Sequence, residues 1–189
     1  MGPLDFTHTL VPDRACGDCF ACCEVSEIDD PALKKPAHVL CQHHRGGCTV
    51  YEVRPQTCRS FHCLWRRLAG LPEDARPDDL GVLFAFQREA NPDSPFAHVY
   101  VCGYPLNNDA SVFETPRVRA IVQKLSDEGG LPVWLSLGAR KRLVWPDRDL
   151  GEAILDPARA ADPDLKARAD VWRKRYDRWV RLYNMAAGA

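Results

Sequence analysis

Eight of the nine cysteines fall between positions 16 and 63, and this crowding constrains the chain more than any other feature. They arrive in three blocks: Cys16, Cys19, Cys22 and Cys23, then Cys41 and Cys48, then Cys58 and Cys63. Consecutive C-x2-C steps predict thiolates on successive tight turns facing a common centre, with Gly17 giving the backbone room to wrap. Met1 to Ala15 contains no apolar signal core. The longest apolar run, 82–86, falls far short of the ~20 residues a membrane helix needs. The expected compartment is therefore the cytoplasm, where clustered cysteines serve as ligands or catalysts. A disulfide framework would need an oxidising compartment, and a lone reactive thiol would leave most of the others unexplained. The pattern predicts a metal or cluster site drawing on all eight.

Two kinds of centre fit such a set. Zinc takes four ligands in a tetrahedron, usually two from each of two knuckles. An iron–sulfur cube is wider, and its corners accept thiolates from a C-x2-C-x2-C run plus one remote cysteine. A 4Fe-4S cluster is the first expectation and zinc the alternative. Eight thiolates exceed what one cube or one zinc requires, so either a second metal exists or some cysteines only support the ligands. Four thiolates on a zinc or an oxidised cube leave a net charge of about −2. Arg54 and Arg59 bracket Cys58 and are candidates to offset it by hydrogen bonding around the ligands. Pro55 suits the start of a helix expected to carry Cys58 and Cys63 one turn apart, with Leu64, Trp65 and Leu68 packed inward. His43, His44 and His62 are alternative ligands, although adjacent histidines in a glycine-containing loop are more often solvated. Cys102, remote from the cluster, reads as a small buried hydrophobe.

The rest of the chain reads as ordinary α+β. With 189 residues there is room for one domain plus a small module. The expected layout is a Cys-rich metal- or cluster-binding module over 1–69, packed on a small two-hairpin, two-helix body over 70–189. Residues 70–80, rich in Pro and Asp, read as the connection. Strands are expected over 81–88 and 97–104, joined by turn formers at 89–95. Thr115 and Pro116 mark a helix start, Val118, Ile121, Val122 and Leu125 its apolar stripe, and Gly129–Gly130 its stop. A second hairpin is expected over 133–145, turning at Gly138. Asp162 and Pro163 open a final helix with the stripe Leu165, Ala169, Trp172, Tyr176, Trp179, Val180 and Tyr183. Arg168, Arg173, Lys174, Arg175, Arg178 and Arg181 flank it, a mixture that can stack on and neutralise single strands. Aromatics at that spacing form one face, and such a face is normally core. The net charge of −1 gives no global pull toward nucleic acid or an anionic membrane either. A protein partner, the oligomeric state and catalysis are all left open by these residues.

The cysteine region resembles a known family. Cys16-x2-Cys19-x2-Cys22-Cys23, Cys41, Cys48 and then Tyr51-x2-Arg54-Pro55-x2-Cys58-Arg59-x-Phe61-x-Cys63 resembles the CxxCxxCC, or YkgJ-like, family of bacterial proteins described as zinc- or iron-chelating. Flagellin lysine methylases carry a similar cysteine domain. The likeness covers about residues 16–66. It implies that the eight cysteines matter as a set, and through the methylases it raises the iron–sulfur option. It also admits a cluster-dependent methyltransferase acting on protein lysine, or a structural zinc module mediating protein interaction, as alternatives to electron transfer or metal handling. No glycine-rich loop follows a strand where S-adenosylmethionine would be expected to bind, and Gly129–Gly130 follows a helix.

Overall fold

The computed structural model describes residues 10–87, 100–129, 131–137, 140–145, 159, 162–171 and 174. The fold is mixed helix and sheet. Strands β3 (Val82–Gln87), β4 (Tyr100–Pro105), β5 (Val133–Leu137) and β6 (Arg140–Trp145) form one sheet in that order. The two expected hairpins are present as antiparallel pairs, β3 with β4 and β5 with β6. They are fused by a parallel β4–β5 pairing, with Val101 opposite Val133. A parallel pair needs a crossover, and helix α5 (Pro116–Gly129) supplies it. Thr115 caps this helix, its Oγ1 accepting from Val118 N at 3.4 Å. The expected loop at 89–95 and the turn at Gly138 lie outside the described residues.

The sheet is covered on both faces, which explains why β3 reads as an unbroken apolar run. Val82 and Phe84 pack with Leu64, Leu68, Val118, Ile121 and Leu125. Leu83 and Ala85 face the opposite way, onto Ala21, Val25 and Leu106. Residues 71, 75 and 80, in the stretch expected to be a mere connection, are buried in the first of these clusters. Residue 75 belongs to a 3-10 turn, Glu73–Ala75, and residue 80 to helix α4, Pro77–Leu80, while residue 71 lies in the bend before them. Gly81 ends α4 at φ +78, a left-handed conformation that glycine takes without strain.

The Cys-rich region is built of short pieces. Helix α1 spans Ala21–Val25, and strands β1 (Ile28–Asp30) and β2 (Leu33–Lys35) form a small antiparallel sheet. The single helix expected after Pro55 is two helices, α2 (Gln56–Ser60) and α3 (Leu64–Arg67). The break comes at Phe61, which turns extended (φ −82, ψ 128) and packs on the Leu83–Ala85 cluster. Cys58 and Cys63 therefore sit on different elements.

Arg14 ties the approach to Cys16 onto the far side of Cys63. It is only 4% exposed, and it donates to the carbonyls of Trp65 (2.6 Å), Leu68 (2.8 Å) and Leu71 (2.5 Å) and to Glu73 (3.0 Å). Its guanidinium also lies over the Trp65 ring at 5.1 Å. Near the end of the chain a helix runs over 163–171, entered through Asp162, whose carboxylate accepts from Asp164 N. Leu165 and Ala169 are buried, as the stripe predicts. The aromatic part of that stripe, from Trp172 onward, lies outside the described residues.

Candidate metal centre

The first block of cysteines is a turn followed by a helix. Cys19 N donates to Cys16 O at 2.9 Å, and Gly17 takes φ +54 between them. The turn is fastened from outside: Arg76 reaches the Asp18 carboxylate at 3.0 Å and that of Asp78 at 2.6 Å. Asp78 also hydrogen-bonds the Cys19 thiol. Burial raises the Asp78 carboxyl, but the bonds from Arg76 and Cys19 outweigh this and hold it below its usual value. The Cys19 thiol is pushed up to about 12, first by burial and then by the charge of Asp78.

Cys22 and Cys23 are neighbours on α1, so they point about 100° apart around the helix axis. Cys22 packs with Cys19 and Cys63 against the Leu83–Ala85 cluster, whereas Cys23 packs with Cys41 and Cys58 against Ile28 and Leu33. The two sulfurs still meet. A hydrogen bond from Cys22 lowers Cys23 to about 6, helped by the charges of His44 and Lys35 against the effect of burial. Cys22 is driven up by that same bond, by burial, and by the charges of Cys23, Cys16 and Cys19.

The second block is joined to the first by backbone, with Cys41 N donating to Cys23 O at 2.9 Å. Cys48 pairs with His44 across a loop turned by Gly46 (φ +72) and Gly47 (φ +143). That loop lies against the Cys16–Cys19 turn, since a side chain on Gly47 would reach within 3.5 Å of Gly17 O. Cys58, on α2, is raised by burial and by the charges of Cys23, Cys41 and Cys48. Cys63 precedes α3. Burial raises its thiol most, Arg66 N–H opposes this, and the charge of Cys16 adds to the rise.

Two adjoining cavities collect these side chains. Every one of the eight except Cys63 lines the larger, of about 340 Å³. Cys16, Cys19, Cys22 and Cys63 line the smaller, of about 30 Å³. The sequence grouping of eight is thus one neighbourhood in space, and all eight are free thiols. Cys102 is fully buried in β4, outside both cavities. Arg54 lines the larger cavity, stacks on Tyr51 at 3.6 Å, donates to Tyr51 O, and lowers Cys58. Arg59 is exposed and lines neither cavity. His62 touches both cavities; burial lowers it, as do Arg67, Arg66 and Arg54. His44 packs edge-on against Phe20, and its Nε2 is buried with no hydrogen-bond partner among the described residues. His43 shares a long 3.4 Å contact with Gln42.

The sequence did not single out Lys35. It is 5% exposed, and its Nζ donates to the carbonyls of Glu24 (2.9 Å), Pro36 (2.8 Å) and Val39 (2.7 Å). Burial pushes the ammonium down, and the charges of Cys41, Cys23, Cys22 and Glu24 pull it back up. A buried cation is costly unless negative charge lies near it, and three of these four neighbours are thiols. One signal was available: Leu33 and Lys35, two apart on a strand, share a face.

Among the described residues no three His, Cys, Asp or Glu side chains are arranged so as to hold one metal ion. The thiols line cavity walls instead of meeting at a point. A zinc ion needs four donors about 2.3 Å from one centre, whereas a cube is ligated at separated corners. The larger cavity and its donors therefore fit a cluster better than an ion. No family model matches the chain, and neither the curated proteins nor the solved structures contain a match to it.

Proposed function

We propose that this chain is a metal-binding protein that holds an iron–sulfur cluster through its clustered cysteines, in electron transfer or metal handling. The observation that carries this reading is the larger cavity, walled by seven thiols with the buried ammonium of Lys35 close behind them. The cysteines would hold the cluster. Lys35 and Arg54 would offset the roughly −2 charge that four thiolates leave on an oxidised cube. Bound there, a cluster supplies one-electron redox chemistry. Ile28, Leu33 and Phe61, which line the same cavity, would limit the access of water to it. The resemblance of residues 16–66 to the CxxCxxCC family points the same way. No helix among the described residues is long and apolar enough to cross a membrane, and a reducing cytoplasm is the compartment that would keep the thiols free.

Zinc is the second reading. Four cysteines, a donor set that structural zinc takes, line the smaller cavity of about 30 Å³. Isolation under anaerobic conditions separates the two. The cluster reading expects a brown protein with broad visible absorption, and iron and acid-labile sulfide in equal amounts. A colourless protein with stoichiometric zinc and no sulfide would contradict it.

A further inference from the structure

We infer that the eight cysteines form two separate four-thiolate centres, Cys16, Cys19, Cys22 and Cys63 in one, Cys23, Cys41, Cys48 and Cys58 in the other. The inference rests on the proposed metal binding and extends it. The cavities supply the first argument. Cys63 lines only the smaller one, and Cys23, Cys41, Cys48 and Cys58 line only the larger. Cys16, Cys19 and Cys22 stand on the wall between and face both. A complete thiolate centre takes four sulfurs, whether it holds zinc or a cube. Any centre that uses Cys63 must therefore take its other three from that shared wall. What remains is four thiols, all on the larger cavity.

Packing gives the same division independently. Cys19, Cys22 and Cys63 lie against the Leu83–Ala85 cluster, under the sheet. Cys23, Cys41 and Cys58 lie against Ile28 and Leu33, on the small β1–β2 sheet. Helix α1 is the partition: the 100° step from Cys22 to Cys23 turns consecutive residues toward different clusters, although their sulfurs still meet. This accounts for a C-x2-C-x2-C run that ends in a doubled cysteine: the last residue belongs to the other centre. Lys35 and His44, whose charges both act on Cys23, then accompany the second set.

The shared chemistry is a thiophilic metal. Elemental analysis of the whole chain, purified without oxygen, reads its form: iron with equal sulfide marks a cube, and zinc without sulfide marks an ion. Two centres per chain are expected, so two cubes would bring about eight iron and eight sulfide. Cys63→Ser is expected to lose one centre and keep the other, Cys58→Ser to lose the opposite one, and the double variant to lose both. Cys16→Ala and Cys48→Ala repeat the test within each set, and Cys102→Ala should keep all metal. Circular dichroism confirms that each variant is folded. A wild-type chain with one centre, or a folded single variant that has lost all metal, would overturn the division. One centre per chain would leave the proposed function standing, whereas a chain that takes up no metal would overturn both.

Discussion

Arg14→Ala is expected to lower the unfolding free energy by about 4 kcal/mol. The guanidinium satisfies three carbonyls just after Cys63, two of them at Trp65 and Leu68, and it covers the Trp65 ring. Each buried acceptor left without a donor costs ~1–3 kcal/mol, and alanine replaces none of the lost contact. Its ion pair with Glu73 adds little, because the glutamate side chain is 79% exposed. Denaturant unfolding should show a lower midpoint at unchanged slope. Arg14→Lys should recover only a small part, since one ammonium nitrogen replaces the two guanidinium nitrogens, Nη1 and Nη2, that reach these carbonyls, and the planar stack on Trp65 is lost. A midpoint shift equivalent to less than ~1 kcal/mol would show that the strap is dispensable.

Removal of the proposed metal is expected to have an effect of similar size, confined to the Cys-rich region. The Cys-rich region has little to hold it together by itself. Its helices α1 and α2 have five residues each, and β1 and β2 three each. Helices below ~12 residues and isolated two-stranded hairpins are marginal in water. Structural zinc–thiolate binding supplies about 10–16 kcal/mol at neutral pH, as much as the whole stability of a typical domain. Stripping the metal with a strong chelator under reductant should therefore open residues 16–63 locally. The amides of Cys19, Cys41 and Cys58 donate to Cys16 O, Cys23 O and Pro55 O, and they should lose protection from hydrogen exchange. The expected acceleration is on the order of a thousandfold, equivalent to ~4 kcal/mol. Amides of β3 and β4, paired over six residues, should change far less. Unchanged protection at the three cysteine amides would mean that the region folds without help from metal.

The body of the fold was legible where local chemistry and burial agree. Thr115 and Pro116 marked the start of α5 because a cap and a fixed φ act within one turn, and both strand pairs followed their apolar runs. The fusion of the hairpins was not legible. Parallel pairing of β4 with β5 depends on where α5 returns the chain, and neither strand's own residues carry that information. The Cys-rich region failed differently. Strands of three residues are too short to show alternation, and the break at Phe61 comes from packing on Leu83 and Ala85, far along the chain.

The candidate site shows the same contrast. The eight cysteines grouped by their spacing share one neighbourhood, and Arg54, four residues before Cys58, lines the larger cavity. Lys35, Asp78 and Arg76 were invisible because their roles depend on tertiary contacts. Lys35 becomes a buried cation only when β2 folds over the Cys23–Cys41 joint. Asp78 and Arg76 meet the first cysteine turn from across 57 or more residues of chain. Arg59, closer still to Cys58 in sequence, sits on the exposed side of α2.

X-ray absorption at the metal edge of the anaerobically isolated protein tests the central claim most directly, because it reads the donor atoms themselves. The account predicts a first shell of about four sulfurs at ~2.3 Å per metal, with a short metal–metal distance added if the metal is clustered iron. A shell of nitrogen and oxygen at ~2.0–2.1 Å, or a protein with no bound metal at all, would contradict it.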